Sequence, residues 1–159
     1  MNITVITVGR LKEKYLKDAV NEYSKRLSRY CKLEIVEISD EKTPDNASEK
    51  EEDLIREKEG QGILNKIKDN MFVIAMDLGG KQLSSQEFSD YVHKLGVSGN
   101  PNIAFIIGGS LGISKSVLDR TNYKLCFSKM TFPHQLFRVM LLEQTYRAFR
   151  IMKGEPYHK

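Results

Sequence analysis

Two short runs, Met71–Met76 and Ile103–Ile107, contain no polar side chain at all. Runs of five or six residues are too short for a buried helix, so they predict strands buried on both faces. Such strands belong to parallel sheets covered by helices on either side, because each parallel connection must cross over the sheet. The rest of the chain supplies the missing parts. Ile3–Val8 is β-branched, Leu33–Ile38 alternates, and Tyr123–Phe127 forms a last strand. Between them, Leu11, Tyr15, Leu16, Ala19, Val20, Tyr23 and Leu27 fall at helical spacing and predict a helix from Lys12 to Arg29. Ser84 opens a helix carrying Phe88, Tyr91, Val92 and Leu95, and a short helix runs from Ser114 to Asp119. A long helix from His134 to Met152 is stopped by Gly154 and Pro156. Ser48 and Glu51 form a capping box for another helix, whose apolar face is sparse and which Gly60 and Gly62 weaken. With 159 residues, the expectation is one α/β domain over residues 1–159, a mostly parallel sheet flanked by helices.

In such sheets ligands sit at the carboxyl ends of the strands. Those ends carry three loops, Asp77–Gly80, Gly108–Gly112 and Ser128–Thr131, which are expected to meet at one edge. The second belongs to FIIGGSLGISKS, residues 105 to 116. From Gly109 it misses the phosphate loop G-x-x-x-x-G-K-[ST] by one residue, since Ser114 stands where the second glycine is needed. That puts a side chain where the backbone should curl around phosphates, and Asp77 is the only acid at a neighbouring strand end to hold Mg²⁺. GGSLG also fails the dinucleotide spacing G-x-G-x-x-G. A nucleotide switch is therefore the weakest reading.

The net charge of +4 is unevenly distributed. From Arg10 to Lys32 there are eight Lys/Arg against three acids, and from Tyr123 onward seven against two. Between them, Glu37 to Glu59 holds ten acids against four bases. Two basic segments suit a polyanion such as RNA, although solvated helix faces give the same pattern. Three histidines and the distant Cys31 and Cys126 have no ligand spacing for a metal, so no metal is expected. The opening MNITVITVGR has no cleavage-site pattern, and no stretch reaches the roughly 20 apolar residues of a membrane span. The expected location is cytoplasmic, with reduced thiols.

His134 follows Pro133 at a helix start, where the helix dipole lowers the basicity of an imidazole. Arg138 lies one turn on, and Glu143 is spaced to pair with Arg147. The chain ends Pro156–Tyr157–His158–Lys159, residue types that a fraying tail seldom needs.

Taken together, IIGGSLG, SKMTFPHQLFRVMLLEQTYRAFRI, the terminal PYHK and the opening VGRLKE resemble one family. It is the RlmH family of ribosomal RNA large-subunit pseudouridine N3-methyltransferases, of the SPOUT superfamily, and the resemblance covers essentially the whole chain. It implies an α/β fold with a C-terminal deep trefoil knot, a homodimer, and S-adenosylmethionine as methyl donor without a metal. The 23S rRNA of the assembled ribosome would be the substrate. Carried over by position, the cofactor contacts are Met76, Gly108, Phe127, Ser128, Lys129, Met130, Thr131 and Phe132. Family members often have leucine where this chain has Met76, an exchange that keeps an apolar wall. Methylation at N3 needs the weak imide proton removed. His134 or His158 is the candidate base, and Arg138 or Arg147 the candidate partner for the resulting anion. Arg10, Tyr157, His158 and Lys159 are candidates for holding RNA. The competing expectation is a non-enzymatic RNA- or ribosome-binding module that uses the same basic face.

Overall fold

A computed structural model describes residues 1–158, so Lys159 lies outside the described residues. Five strands alternate with five helices: β1 (Asn2–Val8), α1 (Lys14–Leu27), β2 (Lys32–Ile38), α2 (Glu49–Leu64), β3 (Phe72–Gln82), α3 (Ser85–Val97), β4 (Asn102–Ile107), α4 (Lys115–Arg120), β5 (Tyr123–Cys126) and α5 (His134–Met152). All pairings are parallel, in the order β2-β1-β4-β3-β5. Ile3–Val8 of β1, Ile103–Ile107 of β4 and Val73–Ala75 of β3 are buried, as apolar strands in the middle of a covered sheet must be.

The two faces are covered differently. α5 packs between α1 and α3 on one face, over Ile3, Val5, Phe105 and Ile107. α2 and α4 cover Ile6, Val8, Val73, Ala104 and Ile106 on the other. No helix among the described residues is long and apolar enough to cross a membrane.

Three boundaries differ from expectation. α1 starts at Lys14 and ends at Leu27, shorter at both ends than the spacing predicts. α2 runs unbroken from Glu49 to Leu64 despite its two glycines, because they are packing positions. A Cβ on Gly60 would come within 2.9 Å of Ser114 Cβ, and one on Gly62 within 2.7 Å of Ile38 Cγ2. The third difference concerns Asp77–Gly80, expected to be a strand-end loop but lying inside β3. Leu125 of β5 stands opposite Met76 and also opposite Lys81. A strand residue pairs with one neighbour on each side, so β3 flanks β5, crosses it at residues 77–80, and flanks it again. Gly80 allows the crossing, since a Cβ there would meet the Lys124 carbonyl carbon at 2.6 Å.

The chain then enters α4 through Ser114, which is buried and accepts a hydrogen bond from Val117 N–H at 3.3 Å. Ser114 is thus a helix cap, and Lys115 pairs with Asp119 at 2.7 Å. The near-match to a phosphate loop is the sequence of a capped helix start.

Candidate functional site

The three strand-end loops do meet. A pocket of about 580 Å³ opens at the carboxyl edge of the sheet. Its walls are the start of the β3 crossing (Met76–Leu78), the glycine loop Gly108–Ile113, and the loop leading from β5 into α5. Of the eight residues expected to hold a cofactor, Met76, Gly108, Phe127, Ser128, Met130, Thr131 and Phe132 line it. Lys129 does not; it is exposed beside the wall. Asp77 lines it too, a residue the sequence singles out only as a Mg²⁺ holder for the rejected phosphate-loop reading and as the start of a strand-end loop.

Glycine at 108 is a steric requirement. A Cβ there would stand 2.8 Å from the carbonyl carbon of Gly112 and 2.9 Å from the side chain of Ile113. The tight return of the loop keeps main-chain groups, rather than side chains, against the pocket. α2 supports this wall from behind. Arg56 Nε donates to the Leu111 carbonyl at 2.9 Å, and Ser116 donates to Glu57 at 2.7 Å.

Glu59 adds an unusual element to that support. It is buried, and its Oε1 accepts the Glu41 N–H at 3.1 Å. Its Oε2 has no hydrogen-bond partner among the described residues and lies against Gly109, 3.1 Å from where a Cβ there would be. Burial first, and the nearby Asp40 and Glu41 after it, push the carboxyl above its ordinary range, against the Glu41 N–H, which lowers it. A carboxyl whose folded value is raised favours the folded state below its unfolded value and loses that advantage as pH rises. Wild-type protein is therefore expected to lose stability above about pH 4.5 through this group, and Glu59→Gln to lack that component in melts recorded across the pH range.

His134 closes the pocket at the N-terminus of α5. Its Nε2 lies 3.6 Å from where a Cβ on Gly9 would be, so the carboxyl end of β1 adjoins it. Gly9 has φ +87, a value that side-chain-bearing residues rarely adopt. Exposed Arg10 follows directly, on the same rim. Burial first, then the charges of Arg138 and Lys12, hold the imidazole below its ordinary 6.5, with Asp40 opposing them. The imidazole is thus held toward its neutral form.

The other candidates lie elsewhere. Arg138 is fully buried and faces away from the pocket. It pairs with Glu37 at 2.7 Å and donates to Thr7 Oγ1 and the Gly9 carbonyl, each at 3.1 Å. Arg147 sits 13 residues beyond His134 on α5, about 20 Å along the helix axis. There it pairs with Glu143 at 2.7 Å, covers the Tyr157 ring at 4.7 Å, and lies 3.4 Å from His158 Nδ1. The tail is docked: Arg150 binds Glu155 at 2.8 Å and the Pro156 carbonyl at 3.1 Å, and Tyr30 donates to Glu155. Tyr157 donates to Glu143 at 3.2 Å, and burial, then Glu143, pushes its hydroxyl up to about 12. One chain therefore holds His134 and His158 apart.

Comparison with known proteins gives the family. The family model described as "Predicted SPOUT methyltransferase" matches residues 1–158. The chain is 84% identical to the ribosomal RNA large subunit methyltransferase H of Clostridium beijerinckii, over the full length of both. It is 75% identical to the Clostridium perfringens (strain SM101) protein named ribosomal RNA large subunit methyltransferase H 1 and 72% to the Clostridium tetani protein named methyltransferase H, again end to end. A solved methyltransferase structure from Legionella pneumophila with bound S-adenosylmethionine aligns at TM-score 0.49 and 12% identity. It covers 96% of this chain and 66% of that one, a likeness too slight to weigh. On the full-length family match and identities of this size, the chain belongs to the RlmH family of SPOUT methyltransferases.

Proposed function

We propose that this chain methylates large-subunit ribosomal RNA, taking the methyl group from S-adenosylmethionine and adding it to N3 of a pseudouridine in 23S rRNA on the assembled ribosome. The observation that carries the reading is the convergence of Met76, Gly108, Phe127, Ser128 and Met130–Phe132 around one pocket closed by His134. Its volume suits a nucleoside-sized ligand. The glycine loop leaves main-chain groups to meet such a ligand, and Met76, Ile107, Phe127 and Phe137 supply apolar walls. The relatives named ribosomal RNA large subunit methyltransferase H support the choice of substrate.

When bound, S-adenosylmethionine supplies a methyl group already activated on a sulfonium. What remains for the protein is alignment and one proton. Neutral His134, at the pocket mouth, accepts the imide proton from N3. Arg10 on the same rim meets an RNA phosphate. The Tyr157–His158 tail, with Arg147 over its ring, reaches RNA or the pocket of a second copy; Lys159 would extend it. Within one chain Arg138 serves the site through Gly9 and the charge it sets near His134, and Arg147 stabilises the anion only if a partner brings it there.

A homodimer fits this need. Met130 and Leu78 are 73% and 62% exposed, and Phe132 and Leu136 lie open beside an apolar groove lined by Phe88, Phe127, Val139 and Met140. An exposed apolar patch next to the site suits a second copy of the chain. The double pairing of Leu125 supports the knotted course expected of the C-terminal part.

The test combines two measurements. Titration calorimetry should show S-adenosylmethionine binding in the micromolar range, and labelled cofactor should mark one 23S rRNA nucleotide in ribosomes from a strain lacking the protein. Ribosome binding without cofactor binding would replace this reading with the non-enzymatic RNA-binding module.

A further inference from the structure

Asp77 is the only carboxylate among the residues lining the pocket, and no lysine or arginine lines it. This is a biased wall in a chain with 25 Lys and Arg. Lys129 lies outside it, and Arg138 is committed to Glu37. His134, the basic residue at the mouth, is held toward its neutral form. The pocket therefore presents one net negative charge to whatever it binds. Asp77 is half-buried where β3 begins to cross β5. Its Oδ2 accepts the Gly79 N–H at 3.1 Å, which fixes the side chain, while Oδ1 accepts no hydrogen bond among the described residues. Met76, Ile107, Phe127 and Phe137 line the same pocket, so a ligand that displaces its water meets that carboxylate beside apolar walls, where its field is less screened.

The methyl donor and its product differ in one respect that such a field can read. As the methyl–sulfur bond breaks, its electron pair stays on sulfur, so the cationic sulfonium becomes a neutral thioether. The methyl carbon bonds to N3, and the N3 proton leaves to the base. Both molecules keep the adenosine, the ammonium and the carboxylate. We propose that Asp77 is a specificity-determining residue that favours the sulfonium donor over the thioether product, so that methyl transfer itself loosens the pocket's hold. This rests on S-adenosylmethionine being the cofactor.

The experiment measures affinities of the full chain for three ligands by calorimetry. They are S-adenosylmethionine, S-adenosylhomocysteine, and the analogue in which a carbon bearing an ammonium group replaces the methylated sulfur. Asp77→Asn removes the charge. Asp77→Ser also removes it but keeps an oxygen acceptor for Gly79, and serves if the first variant fails to fold. Asp77→Glu keeps the charge. The expected result is a loss of about tenfold for the two ligands cationic at that position, and of less than about twofold for the thioether, in the neutral variants. Asp77→Glu should retain the preference. An equal loss for all three ligands would overturn the proposal, because Asp77 would then read the ribose hydroxyls or the ammonium they share. Unchanged affinities would overturn it as well. Absence of binding by the wild type would instead remove the cofactor assignment on which it rests.

Discussion

Arg138→Ala is expected to lower the stability of the fold by about 3 kcal/mol, the largest effect of any single side chain outside the apolar core. The guanidinium has no solvent exposure as a residue and joins three elements: α5 carries it, β2 supplies Glu37, and β1 supplies Thr7 and the Gly9 carbonyl. Truncation leaves a cavity beneath α5 and strips two buried acceptors of their donor. Glu37 is only partly covered, its side chain 35% exposed, so water relieves part of the loss on that side. Arg138→Met fills the space without the charge and should cost less than alanine. Lys115→Ala, which breaks a largely exposed pair with Asp119, should leave the denaturation midpoint unmoved. Urea denaturation of the three variants checks the order, and a loss below about 1 kcal/mol for Arg138→Ala would show that the buried network is dispensable.

The second large effect is on turnover. His134→Ala should reduce the single-turnover methylation rate by about 10²–10⁴, the range of one general base, while changing cofactor affinity only a few-fold. The pH profile gives a readout that simple loss of packing would not. His134 is held below 6.5 by burial and by Arg138, so the wild-type rate should rise with pH on an acid limb below 6.5 and reach its plateau by neutrality. Arg138→Met removes one of the two positive charges that depress the imidazole. The acid limb should therefore move to higher pH, and this shift separates an electrostatic role for Arg138 from a purely structural one. His158→Ala is the companion variant. If His134→Ala and His158→Ala both leave the rate intact, neither histidine is the base.

Much of this was legible from residue patterns because the fold is locally consistent. The apolar runs at 71–76 and 103–107 could only be central strands, and α5 occupies the span from His134 to Met152 that its caps predict. The convergence of three loops followed from parallel topology alone. Spacing failed where long-range contact decides the outcome. Asp77–Gly80 has the composition of a turn, yet the chain pairs with β5 on either side of it, through Met76 and again through Lys81, more than 40 positions away. Gly60 and Gly62 look like helix breakers until Ser114 and Ile38 occupy the room a Cβ would need. Arg138 carries the charge expected of an anion-stabilising group, but its partner Glu37 lies in the acidic segment, 101 positions earlier. The same segment supplies Glu57 and Glu59 to the back of the glycine loop, a purpose that charge counting does not reveal.

The crossing of β3 over β5 also bears on solubility. An outermost strand normally leaves a row of open main-chain donors and acceptors on which another chain can nucleate a sheet. β5 is only four residues long, and Lys81 and Gln82 cover its far side opposite Leu125 and Cys126. The other margin, β2, is interrupted by Lys32, Glu34 and Glu37. The segment that shapes the pocket thus also blunts one of the two margins of the sheet. Damage to it should appear as aggregation as well as lost activity.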